Sequence, residues 1–286
     1  MSKVFLIDIA KCNGCYSCQI ACKDEHCETD WRPYAAPQPE TGQFWMRIKE
    51  KERGQVPVVR VAYTPTLCAH CADAPCAAAC PVGAYQRRED GLLVLDPEKC
   101  VGCGKCVKTC PTGAIFYNEE LHIAQKCTGC AHLLDNGWSV PRCVDVCAHE
   151  AILFKEESEF GDLLKDATVQ EELAGFGPKV YYLNVPKRFV AGCAVDFEAD
   201  EVVIGATVKL MDGDAVVAEM KTDEMGDFKF DQVEPLDYTV VIEAAGYKPT
   251  VVGADAREED LYVGDLAVEK QGPRQAPKRP AAPPRR

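Results

Sequence analysis

Apolar residues come along this chain in short bursts, and few of them keep the 3.6-residue period of a helix. Val4-Phe-Leu-Ile7 is one burst, of strand length, and Gly91-Leu-Leu-Val-Leu95 is another. Alternation near Phe44 to Ile48 and near Val56 to Val61 predicts two further strands. Both lie in a segment, 31–66, rich in proline and aromatic side chains, which is expected to be an insertion that covers the chemistry below or faces a partner. From Ser158 to Leu173, Phe160, Leu163, Leu164, Ala167 and Leu173 fall among acids, and that spacing predicts an amphipathic surface helix. Lys179-Val-Tyr-Tyr-Leu183 then resumes as an extended segment.

Beyond about Phe189 the pattern changes. Alternating runs at Ala206–Leu210, Val216–Lys221, Asp227–Phe230, Tyr238–Ile242 and Leu261–Val263 are separated by turn signals such as Asp212-Gly213-Asp214 and Met225-Gly226-Asp227. This is the pattern of a small antiparallel β-sandwich. Residues 271–286, dominated by Pro, Lys and Arg, have nothing to bury and are expected to form a flexible tail. The expected organisation is therefore a first domain over 1–187, with a connecting helix and extended segment over 155–187, a β-sandwich over 188–270, and the tail.

The cysteines change the picture of the first domain. Sixteen of eighteen fall into four runs: Cys12, Cys15, Cys18 and Cys22; Cys68, Cys71, Cys76 and Cys80; Cys100, Cys103, Cys106 and Cys110; Cys127, Cys130, Cys143 and Cys147. The third run, C-x2-C-x2-C-x3-C followed by Pro111, has the bacterial ferredoxin spacing, in which three cysteines hold one [4Fe–4S] cluster and the fourth serves a neighbouring cluster. By analogy with two-cluster ferredoxins, the expected sites are Cys12, Cys15, Cys18 with Cys147; Cys22 with Cys127, Cys130, Cys143; Cys68, Cys71, Cys76 with Cys110; and Cys80 with Cys100, Cys103, Cys106. Gly14, Gly102, Gly104 and Gly129 would let backbone N–H groups approach the clusters, with Lys105 among the cations beside them. A repeated return segment follows three runs: Pro81-Val-Gly-Ala-Tyr85, Pro111-Thr-Gly-Ala-Ile115 and Ala148-His-Glu-Ala-Ile152. The fold class expected is α+β, a duplicated ferredoxin-like domain with four [4Fe–4S] clusters ahead of a small all-β domain.

Other chemistries fit less well. Zinc sites use separated pairs of cysteines, and a disulfide framework belongs to short secreted chains. Cys27 and Cys193 stand outside every run, and His26, His70, His122, His132 and His149 form no spaced ligand set. A formal charge of −13 argues against a nucleic-acid partner. No apolar stretch approaches the roughly 18 residues that cross a bilayer, and Val4 to Ile7 is short of a signal-peptide core of about 7–15 residues. The chain shows no phosphate-binding glycine loop, nucleophile elbow or paired carboxylates, so it is expected to transfer electrons and to have no catalytic site of its own. Lysines flank three runs while Leu67 to Cys80 carries only Asp73, so the site of Cys68, Cys71 and Cys76 is expected to have the lowest potential. A free-standing polyferredoxin shuttle is the competing reading, against which the β-domain counts.

The four runs in this order, with twelve residues between Cys130 and Cys143, resemble the iron–sulfur subunits of the DMSO reductase family of molybdopterin oxidoreductases. More narrowly, Ala124-Gln-Lys-Cys127-Thr-Gly-Cys130, Gly177-Pro-Lys-Val-Tyr-Tyr182 and the β-domain stretch Thr222-Asp-Glu-Met-Gly-Asp-Phe-Lys-Phe230 are similar to small subunits of pyrogallol–phloroglucinol transhydroxylases. The β-domain itself resembles transthyretin-like and carboxypeptidase-regulatory-like modules. The resemblance implies a heterodimer in which a large subunit holds the molybdopterin guanine dinucleotide cofactor, with Mo or W, and an external electron donor. It implies a cytoplasmic location, or export of the folded complex with a partner that bears a twin-arginine signal. In transhydroxylase small subunits the third run is incomplete; here Cys100, Cys103 and Cys106 are all present, which suits a reductase such as a catechol dehydroxylase.

Overall fold

The computed structural model describes residues 2–271, so all but the first residue of the expected tail lies outside the described residues. The chain divides into two units: Met1–Lys51 with Val61–Pro186, and Glu52–Arg60 with the chain from Lys187 onward.

In the first unit, Lys3–Asp8 is the centre of a three-stranded sheet, antiparallel to Ile152–Glu156 and parallel to Val180–Leu183. Its apolar burst is unbroken because both faces are covered. Phe5 and Ile7 enter the main core beside the cysteines, whereas Val4 and Leu6 meet Phe160 on the other side. Each such side chain withdrawn from water contributes about 1.5–3 kcal/mol. Two hairpins separate the later runs, Tyr85–Arg87 with Leu93–Leu95 and Ile115–Asn118 with Ile123–Lys126. Short helices leave the runs and pack in pairs, Ser17–His26 on Arg142–Asp145 and Pro75–Ala78 on Lys105–Thr109. First run is thus set against last, and second against third.

Three expectations need correction. The amphipathic helix over 158–173 is absent: two 3-10 stretches, Glu157–Leu164 and Glu171–Phe176, stand in its place. Gly161, at φ 52° and ψ −124°, interrupts the first, and Thr168 bridges to Tyr182 as extended chain. The apolar positions there do not form one stripe, because Phe160 packs with Val4 and Leu6 while Leu173 joins the main core. Secondly, the strands of the 31–66 segment form one long hairpin, Arg47–Gln55 and Val58–Thr66, whose end belongs to the second unit. Thirdly, the sandwich is not wholly antiparallel, because Leu261–Ala267 runs parallel to Arg188–Asp196.

The second unit has two four-stranded sheets. Arg188–Asp196 pairs with Glu201–Val202, Asp227–Val233 and Leu261–Ala267; the other sheet runs Ala215–Lys221, Thr207–Asp212, Asp237–Glu243, Thr250–Asp255. Val190, Phe228, Phe230 and Leu266 of the first pack with Val208, Leu210, Val240 and Ile242 of the second. Arg188–Asp196 shows no alternation in sequence because almost all of it is buried. Asp260, 2% exposed, accepts from Arg53 Nε and Nη2 at 2.8 and 2.7 Å and from the Phe189 N–H at 2.9 Å. Asp260→Ala would leave a buried guanidinium unpaired, and the expected loss is about 3–5 kcal/mol. Calorimetric unfolding of the variant checks this, with the visible absorbance of the first unit expected to stay unchanged.

Candidate metal centres

Cysteines drawn from different runs come together in the first unit. Cys12, Cys15, Cys18 and Cys147 line one recess, with Asn13, Tyr16 and His149 at its margin and Ile152 behind. Cys68, Cys71, Cys76 and Cys110 line another, walled by Leu93, Ala114, Ile115 and Leu173. Cys22, Cys127, Cys130 and Cys143 are all buried, and the Cys143 thiol feels the charges of the other three. Cys106 likewise feels Cys100 and Cys103, while Cys80 follows the helix Pro75–Ala78, which packs on the helix that carries Cys106. Cys15 and Cys103 are the exposed members. Cys27 and Cys193 lie elsewhere, with Cys193 buried in the second unit.

Local backbone geometry explains why the runs are spaced as they are. The return segments place a peptide N–H on the last sulfur of a run: Ala84 on Cys80 at 3.3 Å, Ala114 on Cys110 at 3.4 Å, and Ala151 on Cys147 at 3.3 Å. The reversal needs a left-handed residue one position earlier, supplied by Gly83, Gly113 and, in the third copy, Glu150. The N–H groups of Ala124 and Gly129 reach Cys100 and Cys127 in the same way, at 3.4 and 3.3 Å. Five sulfurs therefore accept backbone hydrogen bonds.

Among the expected cofactor-contacting residues, Gly102 is held at φ 68°, and a Cβ there would come 2.2 Å from the His122 carbonyl oxygen. Gly14 and Gly129 hold the corresponding place in their runs; the second run puts His70 there, at φ 46°, with its Nδ1 accepting the Leu93 N–H at 3.0 Å. Gly104 opens the helix Lys105–Thr109 into free space, and Lys105 is exposed.

Burial is the largest influence on most of these thiols. It pushes Cys18, Cys76 and Cys130 up to about 12 and Cys71 and Cys127 up to about 11, and the neighbouring thiolates add to the rise at each. At the rim, hydrogen bonds from Ser17 pull Cys15 down. Thiols so enclosed can ionise together only around a positive core, and metal ligation requires the ionised form. Among the described residues, no three Cys, His, Asp or Glu side chains close tightly enough to hold one metal ion. Sulfurs drawn from separate runs, with backbone N–H groups on several of them, have the chemistry that fits a core of several metal ions with sulfide between them.

Two residues whose surroundings the sequence did not disclose stand beside the quartets. His26 is buried, packs against Trp45 with the rings tilted and their centroids 4.6 Å apart, and has Nε2 3.9 Å from Cys130 Sγ; burial depresses it to about 3, so it is neutral. Lys126 is 2% exposed. Neither has a local signal, because the groups that bury them come from other segments. Gly102→Ala is expected to displace the Cys100–Cys106 turn, at a cost above the roughly 1–2 kcal/mol of the left-handed conformation alone, and to lower the iron bound per chain. Gly104→Ala, with open space around it, is expected to keep its iron; iron analysis of the two variants checks the contrast.

Residues 59–157 match the 4Fe-4S dicluster domain family, and residues 190–269 the carboxypeptidase regulatory-like domain family. The chain is 41% identical over 275 residues to the pyrogallol hydroxytransferase small subunit of Pelobacter acidigallici, covering 90% of this chain and 96% of that one. It is 36% identical over 193 residues to a subunit of the tetrathionate reductase of Salmonella typhimurium, covering 65% and 73%. It is 30% identical over 234 residues to the arsenate respiratory reductase iron-sulfur subunit ArrB of a Shewanella species, covering 63% and 94%. With likeness over nearly its whole length and cysteine quartets suited to metal–sulfide cores, the chain belongs to the electron-transferring iron–sulfur subunits of the molybdopterin oxidoreductases.

Proposed function

We propose that this chain carries four [4Fe–4S] clusters and relays electrons between an external donor and a molybdopterin guanine dinucleotide cofactor, with Mo or W, on a separate large subunit. The observation that carries this reading is the completeness of all four runs together with the meeting of cysteines from different runs. The proposed ligand sets are Cys12, Cys15, Cys18, Cys147; Cys22, Cys127, Cys130, Cys143; Cys68, Cys71, Cys76, Cys110; and Cys80, Cys100, Cys103, Cys106. Each cluster, when bound, supplies a one-electron couple. The chain's residues set the conditions for it. Peptide N–H groups at Ala84, Ala114, Ala124, Gly129 and Ala151 spread the sulfur charge. Leu93, Ile115, Ile152 and Leu173 keep water from the cysteines. Cys15 and Cys103, exposed in two different quartets, mark where charge enters and leaves.

For the partner's reaction, the complete third run favours reduction of a hydroxylated aromatic, a catechol dehydroxylase-like activity, because reductive loss of a hydroxyl consumes a pair of electrons and releases water. The second reading, a pyrogallol–phloroglucinol transhydroxylase, is favoured by the 41% identity to a pyrogallol hydroxytransferase small subunit. Transfer of a hydroxyl between aromatic rings consumes no electrons overall.

Anaerobically purified chain is expected to hold about sixteen iron atoms, and Cys110→Ala about four fewer, with the loss confined to one spin system. Iron well short of this in the unaltered chain would refute the four-cluster reading. In the complex, reductant consumed in step with a catechol supports the dehydroxylase, while turnover without net reductant supports the transhydroxylase.

A further inference from the structure

Lys126 ends the strand Ile123–Lys126, one residue ahead of Cys127, and is almost wholly buried. Its Nζ donates to two backbone carbonyls, Leu93 at 2.5 Å and Cys127 at 2.7 Å. The ion-paired carboxylates of this unit meet Arg32, Arg88, Arg142, His132 or other lysines (Lys99, Lys165 and Lys179), and among the described residues none forms an ion pair with Lys126. Two carbonyl dipoles do not balance an ammonium withdrawn from water, so its compensation has to come from elsewhere. Leu93 walls the recess of Cys68, Cys71, Cys76 and Cys110, and Cys127 is itself one of the buried cysteines, so the ammonium is held by backbone from the edges of two sets of sulfurs. In keeping with that placement, its charge works against the upward push of burial on both Cys76 and Cys127. Those two cysteines belong to different quartets, one with Cys68, Cys71 and Cys110, the other with Cys22, Cys130 and Cys143. Of the other charged groups at these quartets, Arg87 is spent on the carbonyls of His70, Cys71, Ala72 and Gly91, on the side of one of them, while Arg142 and Glu25, of opposite sign, act on Cys130 in the other.

We infer that Lys126 is a counter-ion shared by two quartets, a positioning residue whose charge raises the reduction potentials of the clusters at Cys68, Cys71, Cys76, Cys110 and at Cys22, Cys127, Cys130, Cys143 together. The inference rests on the four-cluster reading. Four thiolates around a 2+ core leave a net negative assembly, and reduction makes it more negative by one charge. A cation held between two such assemblies, away from bulk water, therefore favours the reduced form of each. Sharing one cation also ties the two potentials to each other, which keeps an electron from being trapped on either. On this inference the charge missing from the Leu67–Cys80 stretch is brought in from a segment almost fifty residues away along the chain, which weighs against the lowest potential lying at Cys68, Cys71 and Cys76.

The test is an EPR-monitored potentiometric titration of the purified complex with its large subunit, comparing Lys126→Gln, Lys126→Met and Lys126→Arg with the unaltered protein. Gln keeps an N–H donor for the carbonyls without the charge. The expected result is that two of the four midpoints fall in both neutral variants, each by at least tenfold in the reduction equilibrium, or about 59 mV. The other two midpoints move by much less, and Lys126→Arg returns the pair toward the original values. Unmoved midpoints in Lys126→Gln with full iron, a shift in one centre only, or an equal shift in all four would overturn the inference. Loss of iron from the neutral variants while Lys126→Arg stays loaded is the same charge dependence expressed during assembly and supports it; loss from Lys126→Arg as well overturns it. An unaltered complex with fewer than four one-electron centres fails the parent reading, whereas full iron with unmoved potentials fails this inference alone.

Discussion

Buried thiols do not give up their protons side by side unless positive charge takes the protons' place, and most of the first unit answers to that constraint. Cys18, Cys76 and Cys130 are pushed up to about 12 by burial and by one another. Such a cluster of sulfurs is a liability without a metal core and a stabilising element with one, because the binding free energy of the core becomes folding free energy. The unit has few long elements of its own. Apart from the long hairpin that starts at Arg47 and the helix Ser17–His26, its α-helices have four or five residues and its hairpin strands three or four, and cysteines are members of the main hydrophobic core.

The same constraint accounts for the topology. A run supplies three ligands to one proposed cluster and one to another, so runs must meet in pairs. First and last runs meet because Lys3–Asp8, which leads into one, lies beside Ile152–Glu156, which leads out of the other. Second and third runs meet through the paired helices Pro75–Ala78 and Lys105–Thr109. Positive charge is then supplied at two levels. Peptide N–H groups sit at the sulfurs through the return segments, and whole cations arrive from a distance, as Lys126 and Arg87 do.

The second unit meets a different requirement with different means. It depends on two facing sheets, with Asp260 gathering Arg53 and the Phe189 N–H into one cluster. Arg53 comes from the end of the long hairpin, so a segment that reads as an insertion is covalently continuous with the first unit and packed as part of the second.

Cysteine spacing, the return segments and the switch to alternating β-patterning were all legible in the chain itself. Each reflects local backbone geometry: three sulfurs on one turn, a left-handed residue before an N–H, side chains on opposite sides of a strand. The sequence likewise sorted the molecule into a cysteine-bearing part and a β part. It misjudged 158–173, where apolar residues at helical spacing divide between two separate cores, and it passed over Arg188–Asp196, where burial erases alternation. It also assigned electrostatics by neighbours along the chain. Lys126 ends a strand and precedes a cysteine like any flanking lysine, and nothing within its own segment marks it as buried. Burial, pairing and the effective distance between charges are set by which segments meet in space, and those only the tertiary structure decided.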